Sequence, residues 1–231
     1  NVVFGEEFTL IKGKGFYECT EGGIAYEAGP QTFVQVNENV RGKLYDRALA
    51  FAEKSDTVID CYAGGGLLTA KFAKKCKKAY GIEIVPEAHD CAEAVRERNG
   101  LADNMENLCG KVEELLGGVL EREKDAVIVL DPPRAGVARS VLKLLLQAQV
   151  KKIVMISCDP ATLARDLGIL TGALVETETG ELVKASALGV QPDGKYAIQT
   201  VEPFDMFPQT KHVETLVLLS KNSDSHINVT V

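Results

Sequence analysis

The chain has 231 residues, 45% of them hydrophobic and 26% charged, with a net charge of −7. That length suffices for one good core, or for a main domain with a small appendage, and no apolar run reaches membrane-spanning length. The negative balance supplies no global field for nucleic acid, so an RNA-facing basic surface would have to be local or lie on another part of a longer protein.

Asn1 to Thr9 carries acids rather than a basic stretch followed by an apolar one, which argues against a secretory signal. The first residue is Asn rather than Met, so the chain reads as a piece of something longer. Six cysteines, at 19, 61, 76, 91, 109 and 158, form no C-x-x-C pair and have no His at ligand spacing. Neither a disulfide framework nor a metal site is expected, and the chain reads as a reduced, cytoplasmic protein with several buried thiols.

Residues 1 to about 30 are rich in β-formers and turn glycines and predict short strands or hairpins. Val40 to Lys54 fits an amphipathic helix through Leu44, Tyr45, Ala48, Leu49 and Phe51. Strands and helices then alternate. Strands are predicted at Thr57–Cys61, Ala79–Ile84, Met105–Cys109, Ala126–Leu130 and Ile153–Ser157. Helices are predicted at Leu67–Cys76, Pro86–Asn99, Val137–Ala148 and Pro160–Leu170, with Pro86 suited to a first helical turn. Residues 176–195 read as an extra hairpin, with a turn signal at Gln191-Pro192-Asp193-Gly194. Two close β-like runs, Tyr196–Phe204 and Val213–Ser220, suit an antiparallel pair at a sheet edge. The fold class is therefore α/β, a doubly wound Rossmann-like sheet with an antiparallel edge and a small N-terminal β segment. The division expected is a β-rich segment over 1–36 and a catalytic domain over 37–231.

The first strand of the alternating series runs into Asp60-Cys61-Tyr62-Ala63-Gly64-Gly65-Gly66, and a helix follows. Glycines here let backbone approach a ligand, with Gly64 as a candidate contact. Glu83 closes the next strand, about 20 residues on, where an acid accepts hydrogen bonds from both ribose hydroxyls of a nucleoside cofactor. The three consecutive glycines do not match the G-x-G-x-x-G spacing that seats a dinucleotide pyrophosphate. S-adenosylmethionine has no phosphate and tolerates the difference. Asp131-Pro132-Pro133-Arg134 then places an acid, followed by a rigid Pro-Pro, at another strand's carboxyl end.

The strand ending at Ser157 leads into Cys158-Asp159-Pro160-Ala161-Thr162-Leu163-Ala164-Arg165-Asp166. A thiol at a strand's carboxyl end, before a helix N-terminus and near Arg134 or Arg165, is expected to have a lowered pKa, as a nucleophile requires. Taken alone, a lone Cys is more often a small core residue. Near the end stands Asp205-Met206-Phe207-Pro208-Gln209-Thr210-Lys211-His212-Val213-Glu214, in which Glu214 opens an apolar strand, an unusual place for an acid.

Together these segments, with Phe33-Val34-Gln35-Val36-Asn37, resemble the RNA uracil-5-methyltransferases, which make 5-methyluridine in transfer or ribosomal RNA. The resemblance spans Phe33 to about Ser220. It implies S-adenosylmethionine as cofactor, contacted by Gln35, Tyr62, Glu83 and Asp131, with Cys158 as nucleophile and Glu214 as base. Phe33 matches an aromatic near the target base, and Arg134 is a candidate for stabilising the enolate oxygen or the thiolate. The chain has Leu67 where the family often has Asn or Thr after the glycine turn. Family members also carry N-terminal parts not seen here, commonly a β-barrel RNA-binding domain and in some an iron–sulfur cluster held by four cysteines. The expected protein is a monomer acting on RNA, ribosomal rather than transfer. The alternatives are a methyltransferase for another substrate with Cys158 structural, and a catalytically silent RNA-binding fragment.

Overall fold

The computed structural model describes residues 9–28, 37–54, 56–148 and 150–222. The N-terminal hairpin is formed by β1 (Tyr17–Glu21) and β2 (Ile24–Ala28). Helix α1 (Glu38–Ala50) follows, capped by the Asn37 side chain, which accepts from the Val40 N–H. The alternating part then runs β3 (Thr57–Cys61), α2 (Leu67–Lys75), β4 (Lys78–Glu83), α3 (Pro86–Arg98), β5 (Met105–Cys109), α4 (Val112–Arg122), β6 (Val127–Leu130), α5 (Arg139–Ala148), β7 (Lys152–Ser157) and α6 (Pro160–Leu170). A small hairpin, β8 (Leu174–Glu176) and β9 (Leu182–Lys184), precedes the closing strands β10 (Tyr196–Phe204) and β11 (Glu214–Lys221). A hairpin does form near the region expected, but over 174–184 rather than 176–195; the turn signal at Gln191-Pro192-Asp193-Gly194 falls instead in the loop that leads into β10.

The seven-stranded sheet has the order β10-β11-β7-β6-β3-β4-β5. Its five central and right-hand strands are parallel, and β11 is antiparallel to both β7 and β10. Side chains alternate between faces along each strand, and the burial follows that period of two. Val58, Val127, Val129, Val154 and Ile156 enter one core, shared with α1, α2 and the N-terminal hairpin. Ile59, Ile128, Leu130, Ile153 and Met155 enter a second core with α4, α5 and α6. Parallel strands buried on both faces read as continuous apolar runs, which is why the sequence shows VIVL and KIVMIS rather than alternation.

Helix α4 goes beyond the elements read from the sequence. Its Gly117-Gly118 pair weakens the local helical signal. Burial of Val112, Leu116, Val119 and Leu120 in the second core overrides that weakness.

Strand order reverses between β3 and β6: β4 and β5 lie to one side of β3, and β6 and β7 to the other. The crevice outside the carboxyl ends at such a reversal is where doubly wound sheets bind ligands. The turn from β3 to α2 sits there, and its Gly66 has φ +77. A Cβ at Gly66 would lie 2.6 Å from the Ala92 Cβ and 2.9 Å from its Cα, on α3. Gly66→Ala is expected to destabilise the protein by ~2 kcal/mol or more through the left-handed backbone and the helix clash together. Urea unfolding checks this, and a midpoint equal to that of the parent would refute the close-packing account.

Candidate active site

Tyr62 is forced into the left-handed region, φ 66, directly after β3. Its N–H and that of Ala63 both donate to the Ile82 carbonyl, at 2.9 and 3.0 Å, which holds the turn against β4. Such a backbone costs a non-glycine residue roughly 1–2 kcal/mol, so the rest of the turn must over-determine it. Glu83 contributes to that. One carboxylate oxygen accepts from the Gly64 N–H at 2.8 Å, the other from the Val85 N–H at 2.8 Å. A Cβ at Gly64 would meet nothing within 4 Å, so the turn presents bare backbone to open space.

That space is a cleft of about 740 Å³. It brings together Tyr62, Gly64, Glu83, Asp131, Arg134, Cys158 and Glu214, seven of the nine residues singled out from the sequence. The other two, Phe33 and Gln35, lie outside the described residues. The cleft also uses residues that the sequence reading gave no role. Ile84 and Val85 follow Glu83 and are 53% and 41% exposed, an apolar wall beside the acid. Phe207 lines the other end, near Cys158 and Glu214. The signal for Ile84 was its position: the strand ends at Glu83, so the next apolar residue leaves the core.

Strand geometry explains how Cys158 meets Glu214. Thr215 is the register partner of Ser157 across the antiparallel β7–β11 pair. The first residue of β11 therefore lies at the carboxyl end of β7, the edge that carries the cleft. Glu214 is buried there, 3% exposed. Helix α6 begins just beyond Cys158. Asp159 caps it, accepting from the Ala161 and Thr162 N–H groups at 3.0 and 2.9 Å, and Pro160 occupies the first turn.

The electrostatics correct one expectation. The Cys158 thiol is pushed up, not down: burial is the largest cause, the Glu214 carboxylate adds to it, and Arg134 opposes both. Arg165, the other cation considered, is engaged elsewhere, with its guanidinium on Asp166 and the Ala135 carbonyl. Only two of the six thiols, Cys61 and Cys76, are buried.

Acids crowd the carboxyl ends of the strands beneath and beside the cleft. Burial, and then Glu214 and Asp60, hold the Asp131 carboxyl well above the usual range. Asp60, 1% exposed, accepts from the Thr69 hydroxyl at 2.6 Å. Burial raises it to about 7, with Thr69 opposing and Glu83 adding. A carboxyl whose folded pKa exceeds its unfolded value of about 3.9 favours the folded state at low pH. That contribution is complete below about pH 4 and is lost as pH rises through about 7. Asp60→Asn keeps an acceptor for Thr69 and removes the titration. The variant is expected to gain melting temperature over the parent by roughly 5 °C or more between pH 5 and pH 8, at about 2–4 °C per kcal/mol for this size. A difference that does not change with pH would refute the assignment.

A family model described as tRNA (uracil-5-)-methyltransferase matches residues 16–179. An uncharacterized RNA methyltransferase of Clostridium acetobutylicum is 37% identical over 224 residues, covering 96% of this chain and 44% of that protein. One of Listeria monocytogenes is 38% identical over 225 residues, covering 96% and 45%. The chain thus spans less than half the length of these curated relatives. Among solved structures, a Pyrococcus abyssi tRNA (uracil-54, C5)-methyltransferase in complex with S-adenosyl-L-homocysteine aligns with a TM-score of 0.70 at 24% identity, covering 90% of this chain and 45% of that one. An M. jannaschii tRNA m1G37 methyltransferase aligns at 0.59 and 14% identity, covering 92% and 58%. The structural likenesses establish the doubly wound methyltransferase fold. With the family model and the relatives above 30% identity, they lead to one conclusion: this chain belongs to the tRNA (uracil-5-)-methyltransferase family.

Proposed function

We propose that the chain is the catalytic part of an enzyme that methylates carbon 5 of a uridine in RNA, with ribosomal RNA as substrate. The observation that carries this reading is the convergence of Cys158 and Glu214, distant in the chain, at one end of a cleft whose other end carries Glu83 and the glycine turn. S-adenosylmethionine fits that other end. Glu83 stands where a ribose diol would be held, Ile84 and Val85 offer apolar surface to a base, and the crowded carboxyls suit a cationic ligand better than a phosphate-bearing one. Gln35, Tyr62, Gly64 and Asp131 complete the proposed cofactor contacts, on the family resemblance.

When bound, S-adenosylmethionine supplies an electrophilic methyl group. The chain's own residues prepare the uracil for it. The target base must leave its stack to reach the cleft, and Phe33 is proposed to stack near it. The Cys158 thiolate adds to carbon 6, forming an S–C bond as the carbon 5–carbon 6 π pair moves towards the carbon-4 oxygen. Carbon 5 becomes electron-rich, and Arg134 is placed to offset the negative charge of thiolate or enolate. After methylation Glu214 takes the carbon-5 proton, the double bond re-forms, and the thiolate leaves. The division into a β-rich segment over 1–36 and a catalytic domain over 37–231 is proposed on the change of sequence pattern near Asn37.

The full-length protein with methyl-labelled S-adenosylmethionine and ribosomal RNA is expected to yield labelled 5-methyluridine on nucleoside analysis. Product in transfer RNA alone would support a second reading, favoured by the tRNA enzyme of Pyrococcus abyssi among the structural neighbours. Label on another base would overturn the carbon-5 reading, and cofactor binding without transfer to either RNA would favour a silent RNA-binding protein.

A further inference from the structure

The loop after β6 carries Arg134, and the middle of α6 grips that loop from behind. Asp166, 1% exposed, accepts from the Val137 N–H at 2.8 Å and is bound by Arg165 through Nε at 2.8 Å and Nη2 at 2.7 Å. The same Nη2 donates to the Ala135 carbonyl at 3.0 Å and approaches the Val137 carbonyl at 3.4 Å. Between these residues Gly136 has φ +79, and its N–H closes a turn onto the Pro133 carbonyl at 2.8 Å. A Cβ on Gly136 would lie 2.4 Å from Arg165 Nη2 and 2.7 Å from Asp166 Oδ2. The pair therefore reads the loop backbone on both sides of a glycine that leaves no gap.

We infer that Arg165 and Asp166 are positioning residues: they hold the loop that brings Arg134 into the cleft it shares with Cys158. One rigid element sets both partners: Cys158 stands two residues before the start of α6, and the clamp is on the helix's second turn. Arg134 is itself exposed, so solvent screens its field at the thiol, and that field depends on how closely the loop backbone is held. The buried charge pair costs desolvation that apolar residues would avoid. It is placed where it satisfies one loop N–H and a loop carbonyl on either side of Gly136.

The groups facing Cys158 are Glu214 from β11, Asp131 from the end of β6, and Arg134 from the loop. Asp159 is turned into the α6 cap. Arg134 is the one cation among them, so the position of the loop governs how readily the thiol ionises. The clamp matters to the proposed chemistry through Cys158 and Arg134 and so rests on that reading.

The test is the pH profile of Cys158 alkylation by iodoacetamide, read on the Cys158 peptide by mass spectrometry, with no RNA or cofactor present. Only thiolate reacts, so the midpoint reports ionisation. Asp166→Asn and Arg165→Gln are each expected to move the midpoint up by about half a unit, roughly threefold slower reaction at neutral pH, with an unchanged high-pH limit. In an Arg134→Ala background, which shifts the midpoint upward by itself, neither is expected to add a further shift. Arg165 is a third exposed, so Arg165→Gln carries the test if Asp166→Asn fails to fold by circular dichroism. General loosening would instead expose the sulfur and speed alkylation at every pH. That outcome, an unchanged midpoint, or an additive shift in the double variants overturns the inference. Loss of the functional reading is a separate event: full methylation by Cys158→Ala would remove it and leave the alkylation result standing.

Discussion

Cys158→Ala is expected to lower methyl transfer by ~10⁴-fold or more, the scale seen when an enzyme loses its nucleophile, and to abolish the covalent adduct expected of the parent with 5-fluorouridine RNA. No other cysteine lines the cleft among the described residues. Fluorine at carbon 5 cannot be removed as a proton, so the adduct persists and migrates as a shifted band on a denaturing gel. The substitution removes little from the core, because Cys158 is only partly buried. Melting temperature should therefore stay close to that of the parent while activity is lost. Transfer at the parent rate, or an adduct that survives the substitution, would mean that the sulfur is structural.

The raised thiol pKa also sets the resting state of the sulfur. In the ligand-free protein the sulfur rests largely as thiol at neutral pH, since burial and Glu214 both favour that form. A resting thiol is protected from adventitious oxidation and alkylation, which act on the thiolate. Arg134 is the cation that favours ionisation, with a backbone hydrogen bond acting in the same direction, and it is carried by the loop that Arg165 and Asp166 bind.

Glu214→Gln should lower turnover by about 10²–10⁴-fold, the usual contribution of a positioned general base, with a signature distinct from that of Cys158→Ala. The thiolate still adds, but the carbon-5 proton has no acceptor, so a methylated adduct with ordinary RNA is expected to accumulate. The Cys158 thiol should also ionise at lower pH, because the second-largest cause of its upward shift is removed. Gel-shift analysis with unmodified RNA reads the first effect and iodoacetamide alkylation reads the second. Turnover within a few-fold of the parent would assign the base to another residue. A faster alkylation with normal turnover would confine Glu214 to an electrostatic role.

Local chemistry made much of this protein legible from its sequence. Pro86 and Pro160 mark helix starts, runs of β-branched residues mark strands with two buried faces, and the glycine turn after Asp60 marks a ligand crevice. These signals act over a few residues, so they survive without knowledge of the fold. Helix α4 did not show, because the Gly117-Gly118 pair lowers local propensity and only burial against the sheet restores it. Ile84 and Val85 likewise look like core until β4 ends one residue earlier and leaves them on the cleft wall.

Residue types and motifs were thus enough to nominate Cys158 and Glu214, Glu83 and Asp131. They could not say that Cys158 and Glu214 share one cleft, nor that Arg165 is engaged by Asp166 and the Ala135 carbonyl. The first depends on β11 running antiparallel to β7, so that its opening residue reaches the carboxyl edge of the sheet; a parallel strand would have put Glu214 at the far end. The second depends on where the loop after β6 lies over α6. Both are relations between segments distant in the chain, and strand direction and packing decide them.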